Sequence, residues 1–128
     1  MPFQCYKWME LLLNMSMESK KDGLFGIEIE TETESQSDYP PKFFLGEIAG
    51  GWKTPLKNWK AIQDGSLRDW GVEFVLKGPQ SLEDTKASLD EFQKYLGDVK
   101  FIQNSPSTSV HVHLNMTALT MTQVVNFV

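Results

Sequence analysis

From Leu24 the chain alternates with period two, placing Phe25, Ile27 and Ile29 on one side and Glu28, Glu30, Glu32 and Glu34 on the other. Alternation of this kind predicts a strand with one buried and one polar face. It ends at Ser35–Gln36–Ser37–Asp38, ahead of Tyr39–Pro40–Pro41. A second strand is predicted over Gly71–Leu76, where Gly78–Pro79 stops it. A third covers Ser109–Asn115, with Val110, Val112 and Leu114 opposed to Ser109, His111, His113 and Asn115. The surest helix begins after Ser81, a natural cap with Asp84 three residues on, as in a capping box. Leu82, Leu89, Phe92 and Leu96 return on one face at helical spacing, and Gly97 stops the run.

Other stretches are less regular. Phe43–Phe44–Leu45 reads as a short strand or packed loop, Gly50–Gly51 as a break, and Trp52–Ile62 shows no clear period. Asp64–Gly65–Ser66 is predicted as a tight turn in which Asp-Gly supplies positive backbone angles. Residues 1–23, Met-rich and then polar, read as an N-terminal extension, and residues 24–128 as the N-terminal part of one domain. A further helix is expected from Thr120, apolar through Val124, Val125, Phe127 and Val128. Its uncapped, apolar end is what a domain continuing past residue 128 would give.

The 128 residues suffice for one core. Twelve basic residues against seventeen acidic ones give a net charge of −5, which argues against nucleic acid as a partner. Lysines such as Lys53, Lys57 and Lys60 read as a solvated surface. Cys5 is the single cysteine, so a disulfide within the chain is excluded and a reducing, cytoplasmic setting is expected. Trp8–Leu13, interrupted by Glu10, is far shorter than the roughly 20 residues that span a bilayer, and no membrane partner is expected.

Three features carry chemistry. Glu28 and Glu30, two apart on a strand, project to the same face about 7 Å from each other. Carboxylates so placed raise a pKa or bind a cation, and hard divalent ions take such oxygens. A solvated row of glutamates explains the same pattern, and Glu32 and Glu34 extend that row. His111 and His113, the only histidines, share the polar face of one strand, where both imidazoles can reach one metal-binding cavity or lie on an ordinary surface. Glu73 is the lone charge in an apolar strand, so it faces solvent or has a partner. Asp64 could join the same site, although turn chemistry accounts for it as well. Other H-x-H families fit poorly: barrel hydrolases place the pair near the start of a longer chain, cupin-like sites want a following glutamate, and zinc proteases space their histidines four apart on a helix.

Taken in order, Phe25-Gly26-Ile27-Glu28-Ile29-Glu30, Asp64-Gly65-Ser66-Leu67 with Trp70-Gly71-Val72-Glu73-Phe74-Val75, and Ser109-Val110-His111-Val112-His113-Leu114-Asn115 resemble the phage and bacterial amidoligase family. The succession of acid pair, single acid and H-x-H is also similar to the glutamine synthetase and glutamate–cysteine ligase group. The likeness covers about Leu24 to Val128.

The resemblance implies an α+β fold, a curved antiparallel sheet with packed helices forming part of a glutamine synthetase-like catalytic domain. Its concave face would hold ATP and two or three divalent ions, magnesium or manganese. Carried over by position, Glu30 and Glu73 would hold one ion with Asp64, Glu28 and His111 another, while His113 and Asn115 would line the nucleotide region. The implied activity joins a carboxylate and an amine of an amino acid, peptide or cell-wall component through an acyl phosphate. A phage-encoded chain would work in its host's cytoplasm. The family also draws acids and arginines from later in the domain, whereas this chain has one arginine, Arg68. The expected site is therefore incomplete, and this portion is expected to be weak or inactive alone. The readings set against it are a non-catalytic metal- or nucleotide-binding module and a zinc-dependent hydrolase using His111 and His113.

Overall fold

The computed structural model describes residues 25–68 and 70–115. The predicted extension over residues 1–23 and the predicted helix from Thr120 lie outside the described residues. Six strands form one sheet: β1 (Phe25–Thr33), β2 (Gly46–Ile48), β3 (Gly51–Lys53), β4 (Trp59–Ile62), β5 (Trp70–Leu76) and β6 (Ser109–Leu114). Their spatial order is β2-β3-β4-β5-β1-β6, and every neighbouring pair is antiparallel. The sheet is open, and one helix, α1 (Leu82–Leu96), packs on one of its faces. The fold is α+β. No helix among the described residues is long and apolar enough to cross a membrane.

The alternation in β1 has its physical cause in the two layers. Phe25, Ile27 and Ile29 are buried with Val72, Phe74 and Leu76 of β5 and with Leu82, Leu89 and Leu96 of α1. Helix and sheet are also joined by polar bonds. The indole Nε1 of Trp59 donates to the Ser88 carbonyl at 2.8 Å. Glu91 accepts from the main-chain N–H groups of Lys57 and Asn58 at 2.9 and 3.0 Å, fixing the entry to β4.

Ser81 caps α1, its hydroxyl accepting from the Asp84 N–H at 3.2 Å. At the other end Gly97 keeps a right-handed backbone (φ −62) and not the left-handed cap expected of a terminal glycine. Space explains the residue there: an added Cβ would lie 2.5 Å from the Gln93 carbonyl oxygen.

Several sequence expectations need correction. The patternless stretch Trp52–Ile62 contains most of β3 and all of β4, and of the break at Gly50–Gly51 only Gly50, at φ 78, lies in the turn of the β2–β3 hairpin, Gly51 being the first residue of β3. Phe43–Leu45 is a loop leading into β2, with Phe43 buried and Leu45 exposed. Gly65 takes no positive φ; the Asp64 carboxylate makes the turn, accepting from the Ser66 N–H at 2.9 Å and the Ser66 hydroxyl at 2.8 Å. Val110 and Val112 share the helix-side face with Ile29 and Ile27 but remain 41% and 38% exposed, because α1 does not extend over β6.

Candidate metal centre

The site lies on the face away from α1. Register sets it out in rows. In one row Val75, Glu28 and His111 stand abreast across β5, β1 and β6; in the next stand Glu73, Glu30 and Ser109. Ile62 of β4 extends the second row, and Asp64 follows two residues later, where its turn folds back toward Glu73. The sequence builds this from the odd–even rule alone: once Ile27, Ile29, Val72 and Phe74 are buried, Glu28, Glu30 and Glu73 must share the opposite face.

Glu30, Asp64 and Glu73, all partly buried, each bring a carboxylate oxygen to within 4.8 Å of the others. Three acids that close repel one another. Glu73 is accordingly pushed above the ordinary carboxylate value, first by burial, then by its hydrogen bond with Asp64 and by the charges of Glu28, Asp64 and Glu30. Asp64 moves the other way, held down chiefly by the Ser66 N–H and hydroxyl. Of the two, Glu73 is therefore the one that takes up a proton first as pH falls.

Glu28 lies between the two imidazoles. Its Oε2 is 3.2 Å from His113 Nε2 and 3.5 Å from His111 Nδ1, and His111 Nδ1 is also 3.7 Å from Glu30 Oε1. Its carboxyl is lowered from the ordinary value, most of all by the hydrogen bond from His113. Ser109 Oγ lies 3.1 Å from His111 Nε2 and steadies that ring. Both imidazoles are open to solvent, His111 by 50% and His113 by 61%.

Five of the residues singled out in the sequence thus meet on one face: Glu28, Glu30, Asp64, Glu73 and His111. His113 joins them through Glu28, closer to that carboxylate than His111 is, whereas the family resemblance implies a place in the nucleotide region. Asn115 stands one residue beyond Leu114, which pairs with Phe25 at the start of β1.

Glu32 does not belong to the solvated row that its parity predicts. It is 1% exposed, whereas Glu34 is exposed as expected. The available signal was Gly71, directly across from Glu32, a residue without a side chain where something else can lie down on the sheet. A groove of about 850 Å³ is a separate feature on the helix side, between α1 and β6, lined by Leu89, Phe92, Leu96, Phe101 and Val110.

Comparison with protein-family models, with curated proteins and with solved structures finds no match.

Proposed function

We propose that the chain belongs to an ATP-dependent carboxylate–amine ligase of the amidoligase kind, with divalent cations held on the acidic face of the sheet. The observation that carries this reading is the meeting of Glu28, Glu30, Asp64, Glu73 and His111, drawn from four separate stretches of sequence, on one side of three paired strands.

The donor chemistry fits the ion. Glu30 and Glu73, directly opposed, and Asp64 beside them offer an all-oxygen set of the sort magnesium or manganese takes. Glu28 and His111 offer a second, mixed set. When bound, such cations neutralise the phosphates of ATP and stabilise the transferring phosphoryl group. The substrate carboxylate oxygen attacks the γ-phosphorus, and the bond to ADP breaks. An amine then attacks the acyl carbon of the resulting acyl phosphate, inorganic phosphate leaves and the amine proton passes to solvent. In this scheme Glu28, its carboxyl lowered most of all by the hydrogen bond from His113, serves as an anionic ligand beside His111. Substrates would be amino-acid, peptide or cell-wall carboxylates and amines.

A cation-binding module without turnover is the second reading, favoured by the openness of His111 and His113. One assay separates the two. The full chain is incubated with magnesium, ATP and a panel of amino-acid and peptide carboxylates, with hydroxylamine as the trapping amine. A ligase releases ADP and forms a hydroxamate, and Glu28→Gln or His111→Ala lowers both by at least about 100-fold. Unchanged turnover in either variant would overturn the site. Manganese binding with no hydroxamate from any carboxylate would favour the module.

A further inference from the structure

We propose that Glu32 is a positioning residue, a buried clamp that fastens the Asp64 turn and the approach to β6 to the centre of the sheet and so sets the spacing of the cation-binding carboxylates. The proposal rests on the reading that Glu30, Asp64 and Glu73 hold a divalent ion.

Glu32 lies two residues beyond Glu30 on the same face of β1, yet solvent reaches only 1% of it. The segment that follows Asp64 covers it. The Arg68 main-chain N–H donates to the Glu32 carboxylate. Across the strand pair, a Cβ on Gly71 would lie 2.3 Å from the Leu67 Cβ and 3.2 Å from the Arg68 carbonyl oxygen, so this segment rests directly on the sheet. The main chain of Glu32 holds a second segment, its carbonyl accepting from the Ile102 N–H at 2.8 Å. Seven residues after Ile102 the chain enters β6, which carries His111. The Arg68 guanidinium also lies 3.5 Å from Ser105 Oγ, an exposed contact at the outer limit of a hydrogen bond.

A carboxylate is an expensive group to bury, costing several kcal/mol unless its partners repay it. A charge-assisted bond to a main-chain N–H is shorter and stronger than a neutral one. That suits a tether, because Asp64 reaches Glu73 from a loop and a loop without an anchor would let the carboxylates drift apart under their own repulsion. Outer residues that orient ligands in this way typically govern affinity by about 10–100-fold.

The test combines manganese titration by calorimetry with hydrogen exchange of the Arg68 amide, in the whole chain. Glu32→Ala is expected to expose that amide and to weaken manganese binding at least about 10-fold. Glu32→Gln, which keeps an acceptor oxygen, retains amide protection and most of the affinity. Arg68→Ala binds as the wild type does, since the donor is main chain. Gly71→Ala, which alters no charge but lifts the segment, weakens binding and serves if Glu32→Ala fails to fold. Glu73→Gln reports on the ion site itself. A wild type that binds no manganese, or a Glu73→Gln variant that binds it equally well, removes the cation reading and this proposal with it. If Glu73→Gln loses binding while Glu32→Ala keeps wild-type affinity with an exposed Arg68 amide, the clamp alone is overturned. Glu32→Gln as weak as Glu32→Ala, with its amide still protected, would assign the effect to charge and overturn it too.

Discussion

Glu73 carries the sharpest consequence of the site at the scale of one side chain. It stands directly opposite Glu30, and Asp64 leans in from the neighbouring turn. Its folded-state pKa lies above the ordinary 4.5. A carboxyl raised in this way contributes stability when protonated, below its unfolded value, and that contribution is lost as pH rises through the folded value. Glu28, lowered by its imidazole neighbours, works in the opposite sense, contributing above its unfolded pKa and losing that contribution as pH falls through the folded one. In the absence of divalent ions, Glu73→Gln is therefore expected to raise the thermal midpoint at neutral pH. Relief of an opposed like-charge pair is worth about 0.5 kcal/mol, or about 2–4 °C in a domain of this size. Calorimetric scans of both proteins at pH 4 and pH 7 in a chelating buffer check this; a gain as large at the lower pH would contradict the raised pKa of Glu73.

The same residues show how far single positions can be read from a string of letters. Glu28, Glu30 and Glu73 were legible because they sit among apolar residues of strict parity, and burying one set fixes the side of the other. Glu32 has the same parity and the opposite fate. Its burial depends on a turn that arrives from 36 residues further along and on the bare surface of Gly71 across the strand pair. Nothing local to Glu32 records either fact.

Among elements, β1, β5, β6 and α1 announce themselves by periodicity because each is long enough to repeat its pattern. β2 and β3 have three residues each and β4 has four, too few for a period to emerge. They exist because partners hold them: β4 bonds to β5 along Trp59–Ile62, and β3 then adds to β4. The coupling of β4 to α1 is concentrated in Trp59, which is buried, donates to Ser88 and packs against Phe92 with ring centroids 5.3 Å apart. Trp59→Phe keeps the apolar body and deletes the donor. It is expected to cost about 1–3 kcal/mol in urea unfolding, from the lost bond and the gap left behind. A cost near zero would mean that the aromatic contact alone holds the helix to the strand.

For the molecule as a whole, the two faces of the sheet divide the labour. One is joined to α1 through an apolar core, and the other concentrates mutually repelling acids beside two imidazoles. A divalent ion held on that face, as proposed, would bind the folded state and not the unfolded chain, and so would stabilise by mass action. Manganese at about 100 times its dissociation constant should add about 2.7 kcal/mol to unfolding. The same excess should leave Glu73→Gln nearly unmoved. Chemical denaturation with and without the metal measures both, and equal shifts in the two proteins would place the ion elsewhere.

The last strand brings its own liability. Among the described residues β6 has no neighbour on its outer side, and Val110 and Val112 stand partly bare beside that open row of amides and carbonyls. A rim of this kind is a template for a second chain, and dry valines make the adhesion tighter. Light scattering of concentrated samples should detect growth in particle size, and replacing Val112 with lysine should suppress it while leaving the fold's circular dichroism intact. Whatever shields that rim in the cell also shields His111, which rides on the same six residues.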